Sequence, residues 1–109
     1  MAKHEFGIMP DAPLKGNRYD EYEPEKYNSI SIDDIYLEDI VSSFNHIDFY
    51  WHTLDVKEKA MAYCGVTLIP PSSQKAFINV INGIKGLEAL VGLIEKATRE
   101  NKWVIHYGL

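Results

Sequence analysis

A single cysteine, Cys64, stands in a chain of 109 residues. One thiol closes no intramolecular disulfide and offers no Cys-x-x-Cys pair, so a disulfide-stapled secreted fold is excluded. No apolar run approaches the ~18 residues that a membrane span needs. Bases are scarce: 11 Lys and Arg face 16 Asp and Glu, for a net charge of −5 with His neutral. Such a field repels phosphate backbones and anionic lipid, which weighs against nucleic acid and membrane partners. Motifs of catalysis are missing as well. There is no Gly-x-x-x-x-Gly-Lys loop, no Gly-x-Gly-x-x-Gly, no Gly-x-Ser-x-Gly elbow and no His-Glu-x-x-His. No cofactor is expected. The opening residues Met1 to Phe6 carry no apolar stretch resembling a signal peptide, so a reducing cytoplasm is the expected compartment.

What is present reads as one globular domain. Apolar residues make up 46% of the chain, charged residues 25% and aromatic residues 12%, a balance that can fill a core at this length. Residues 1–26 hold three of the five prolines and show no sustained period, so they read as an extended N-terminal arm. Residues 27–109 read as a single α+β domain. Its first strand is Tyr27 to Ile32, where Ile30 and Ile32 alternate with Ser29 and Ser31. Ser31 or Asp33 can cap a following helix whose apolar stripe is Ile40, Val41, Phe44 and Ile47.

Two aromatic and β-branched stretches, Phe49 to Leu54 and Ala60 to Ile69, flank a charged segment and predict a hairpin. Pairing Asp55 with Ala60 places Phe49, Trp51, Ala62, Cys64 and Val66 on a core face. Tyr50, His52, Tyr63 and Thr67 then share the other face, with His52 opposite Tyr63. Pro70-Pro71 ends the strand, and Ser72 or Ser73 caps a helix bearing Phe77, Val80, Ile81 and Ile84. A second helix carries Leu87, Leu90, Val91, Ile94 and Ala97, and Trp103 to Tyr107 forms the last strand. This order is that of a ferredoxin-like βαββα(α)β fold: a four-stranded antiparallel sheet with helices on one face. The RNA-recognition motif shares the order and stacks bases on aromatics of its two central strands. Here the first strand offers Tyr27 alone, and the third offers Tyr63 without basic, glycine-rich surroundings, so nucleic-acid binding is not expected.

Candidate sites follow from that fold. The open sheet face would show Tyr50, His52, Leu54, Met61, Tyr63 and Tyr27, an aromatic patch that a monomer rarely leaves uncovered. Homodimerisation or partner binding on this face, without catalysis, is the leading expectation; the arm can cover part of it through Phe6, Ile8, Met9, Tyr19 and Tyr22. The alternative is a small enzyme or ligand-binding protein with a pocket between face and arm, using His52 and Tyr63, joined by Asp48 or His106, for proton transfer. His46, Asp48, His52 and Asp55 are the nearest approach to a metal-ligand set, though their spacing does not converge. Residues 27–47 hold Asp33, Asp34, Glu38 and Asp39 with no Lys or Arg, which gives a third reading: an acidic surface for a basic partner.

Overall fold

A computed structural model describes residues 2–109. It is an α+β structure with one antiparallel sheet of six strands and two α-helices. The strands are β1 (Lys3–Ile8), β2 (Ile30–Asp33), β3 (Phe49–Trp51), β4 (Lys57–Glu58), β5 (Val66–Ile69) and β6 (Val104–Tyr107). They lie in the order β2-β1-β6-β5-β3-β4. The helices are α1 (Pro71–Ile81) and α2 (Glu88–Glu100). Among the described residues no helix is long and apolar enough to cross a membrane.

Two additions change the expected four-stranded sheet. Lys3–Ile8, read from the sequence as part of the arm, is a strand between β2 and β6. The two-residue β4 pairs with β3 at the far edge. The helix expected after β2 is replaced by short 3-10 turns at Asp34–Tyr36 and Val41–Phe44. Ile35, Ile40 and Val41 are β-branched, and Ser42, Ser43 and Asn45 compete for backbone hydrogen bonds, so this stretch propagates a helix poorly. Its apolar residues are buried nonetheless: Leu37 and Phe44 are fully enclosed, and Ile47 nearly so.

The hairpin register also differs. Tyr50 pairs with Leu68 and Trp51 with Thr67, whereas the expected hairpin would have set Tyr50 against Gly65. A shift of three is odd, so the faces of the second strand exchange. Thr67 and Ile69 turn toward the helices, while Val66 and Leu68 turn away. Residues 60–65 are irregular, and Gly65 takes φ +122°, a conformation open to glycine, to bring the chain into β5. Cys64 is therefore exposed rather than in the core.

One sheet face packs on α1 and α2 around Phe6, Ile32, Phe49, Phe77, Leu90 and Ile94. Phe77 sits at the centre, stacked on Phe44 at 4.6 Å and meeting Phe6 and Phe49 edge-on. Buried Gln74 joins the helices to the sheet: its amide N–H donates to the Lys102 carbonyl (2.7 Å) and its Oε1 accepts from the Thr98 hydroxyl (2.9 Å). The opposite face, with Val66, Leu68, Ile105 and Tyr107, is covered by the chain between β1 and β2 through Met9, Tyr19 and Tyr27. Backbone bonds pin that cover, from Met9 N–H to the Trp103 carbonyl (2.9 Å) and from Tyr19 N–H to the His52 carbonyl (2.7 Å).

Candidate functional site

At one end of the helix-covered face, three neighbouring strands bring polar side chains together. Along β1 the side chains of His4, Phe6 and Ile8 point to one face. On the adjacent strands His106 lies opposite Thr67, so β1, β6 and β5 contribute His4, His106 and Thr67. His4 Nδ1 lies 2.9 Å from His106 Nε2, and His106 Nδ1 lies 3.1 Å from Thr67 Oγ1. His4 Nε2 lies 2.8 Å from Asp34 Oδ1, which also accepts the Tyr63 hydroxyl at 2.5 Å. The Ala62 N–H donates to Thr67 Oγ1 at 2.9 Å. One arrangement of protons pairs all four ring nitrogens. Thr67 donates to His106, His106 Nε2–H to His4, and His4 Nε2–H to Asp34, all in one direction.

Burial and these bonds set the charges. His106 is driven well below its ordinary value, first by burial and then by His4 beside it. Asp34 is held below the usual carboxylate range by the Tyr63 hydroxyl first and His4 second. The same bond to Asp34 is the main cause that pushes Tyr63 up to about 12, so Tyr63 keeps its proton at neutral pH. Both nitrogens of both histidines are bonded, and both rings are fully buried. Such a set holds segments together; it offers no free base. It ties β1, β5 and β6 to the 34–36 turn and to residues 62–63. Residues 108–109 close over the same place: Gly108 N–H donates to the Gly65 carbonyl (2.6 Å) and Leu109 N–H to the Tyr63 carbonyl (3.1 Å). A Cβ on Gly108 would overlap the Tyr63 carbonyl, so only glycine fits.

The residues singled out from the sequence scatter around this network. Tyr63 and His106 belong to it, joined through Asp34 and His4. His52 does not: it sits in a turn at φ +48°, its N–H donating to the Val66 carbonyl at 3.1 Å, and it makes no bond to Tyr63. Tyr27, Tyr50 and Leu54 lie in the second apolar cluster, on the face covered by the 9–27 segment, whereas Met61 is in the main core. His46 is exposed, and Asp48 bonds Lys59 (2.8 Å) and Lys57 (3.6 Å). Among the described residues no three His, Cys, Asp or Glu side chains gather as metal ligands. His4, Asp34 and Thr67 were not anticipated as partners. The alternation of His4, Phe6 and Ile8 against Lys3, Glu5 and Gly7 is a strand signal that could have found the first of them.

The same turn that sends Asp34 inward turns its neighbours outward. Leu37 anchors it in the core, and its N–H donates to the Asp34 carbonyl (2.9 Å). Ile35 is 62% exposed and Tyr36 42%. One side of the Tyr36 ring packs against Gly86, where a Cβ would collide with it. Glu38 and Asp39 are exposed and Asp33 is half-buried; among the described residues none of the three forms an ion pair. The turn continues directly from β2, an edge strand with no neighbour on its outer side. Compared with protein-family models, curated proteins and solved structures, the chain matches none.

Proposed function

We propose that the chain is a non-catalytic protein-binding domain whose docking surface is the turn 33–39 beside the free edge of β2, and that its partner presents a basic surface. The observation that carries this reading is the pair Ile35 and Tyr36, exposed amid Asp33, Glu38 and Asp39, none of which forms an ion pair among the described residues. An anchored tyrosine and an aliphatic side chain supply apolar contact at small entropic cost, and the surrounding acids steer and orient a cationic partner. The aromatic sheet face carries the role less well. Its own chain covers it between residues 9 and 27, which removes the motive for seating a second copy there.

Affinity capture on the full chain tests the proposal, run beside an Ile35→Ser, Glu38→Gln, Asp39→Asn variant. Basic proteins should be retained by the wild type, released as salt screens the acids, and absent from the variant. Identical retention on both, or retention insensitive to salt, would overturn it.

A further inference from the structure

On the helix-covered side, away from the acidic turn, α2 and the stretch from Lys26 to Ile30 border a groove of about 530 Å³. Ile8, Tyr27, Ile30 and Leu93 give it an apolar floor, and Lys26, Lys96 and Lys102 stand around it with Glu100 as the one carboxylate. The C-terminal dipole of α2 by itself would favour lysines at this end of the helix. It does not account for Gly92, which also lines the groove from the interior of α2. A Cβ there would meet nothing within 4 Å, so no contact within the chain requires glycine. Glycine in a helix interior is costly relative to alanine, and here it leaves the groove wall bare.

We infer that this groove is a binding site for an amphipathic carboxylate, an acid on an aliphatic body of medium-chain fatty-acid size. The volume lies within the range of small-molecule sites, roughly 300–1,000 Å³. The floor suits a hydrocarbon body and the ammonium groups suit its acid. Lys102 and Lys26 engage Glu100 and Glu23 only at 3.5 Å in exposed pairs, which hold them weakly, and Lys96 forms no ion pair among the described residues. The site neither uses nor requires the turn at 33–39.

Decanoate is the probe, titrated into the full chain while backbone amide shifts are followed by NMR, with decanol as the uncharged control. Saturable shifts should appear in Ala89–Lys96 and Asn28–Ile30, with decanol binding about ten-fold more weakly. Gly92→Ala should raise the melting temperature by a few degrees while weakening decanoate. Gly92→Met should fill the groove and abolish the shifts with the fold intact. The inference is overturned by an absence of saturable shifts, by shifts that survive Gly92→Met, or by decanol binding as tightly as decanoate.

Discussion

Asp34 and its neighbours Asp33, Glu38 and Asp39 lie within one short stretch yet do opposite work. Asp34 turns inward, takes hydrogen bonds from His4 and Tyr63, and completes a chain of donors reaching Thr67 across three strands. The other three form no ion pair among the described residues and surround exposed Ile35 and Tyr36. The difference comes from direction rather than composition. Leu37 must reach the core, and the 3-10 turn that allows it points one acid in and leaves the others out. Acidity in this stretch is therefore bonded into the fold at one position, and the rest supplies the acids of the proposed docking surface.

The sharpest way to break that division is to disable the inward side. His106→Leu leaves His4 Nδ1 without its donor and deprives the Thr67 hydroxyl of its acceptor, both buried. It should cost about 2–3 kcal/mol, a fall in melting temperature of roughly 10–20 °C. Gly108→Ala pushes a methyl group into the Tyr63 carbonyl and should cost about 1–2 kcal/mol, read by melting and by faster amide exchange at Leu109. The network also fixes the response to pH. His106 and Asp34 both have lowered folded values, so both stabilise the fold above their unfolded values, and both contributions are lost as protons bind. Melting temperature should be level between about pH 7 and 10, decline as pH falls below about 6.5 where unfolded histidine protonates and further below about 4 where unfolded carboxylates do, and decline above about 10, where unfolded tyrosine ionises while Tyr63 is held protonated. In His106→Leu the first decline should shrink.

On the outward side, Ile35→Ser with Glu38→Gln should leave stability within about 0.5 kcal/mol while removing partner retention. The smallest effect belongs to Cys64→Ser. An exposed thiol should be replaceable at under ~0.5 kcal/mol and should react with a thiol reagent in the native state.

Helical periodicity was legible wherever packing and propensity agree. The residues Phe77, Ile81, Leu90, Ile94 and Ala97 all face the core from α1 and α2 as their spacing implies. Alternation likewise marked a strand at Tyr27 to Ile32, which the structure begins at Ile30 after a 3-10 turn ending at Tyr27, and the stretch read as the last strand, Trp103 to Tyr107, is one from Val104. Two features hid the rest. The alternation of β1 is short and runs at once into the proline-rich stretch from Pro10, so it was absorbed into the arm, which concealed an interior strand of the sheet and with it His4. The hairpin register depended on a turn that the chain does not make, and an odd shift moved Thr67 from the expected open face to the histidine network. Of the candidate residues, Tyr63 and His106 do share a network, but the groups that join them come from positions 4 and 34. Contacts that distant in sequence leave no local period to read.

The most direct test is the melting temperature of Asp34→Asn beside that of Asp39→Asn, at neutral pH in the same buffer. An asparagine at 34 can still accept from His4 and Tyr63 through its one amide oxygen, but without the negative charge that strengthens both bonds, so that variant should melt lower. An asparagine at 39 relieves repulsion among exposed acids and should melt at the wild-type temperature or slightly above. Equal losses in the two variants, or a loss only at 39, would contradict the division of this turn into a structural acid and a recognition surface.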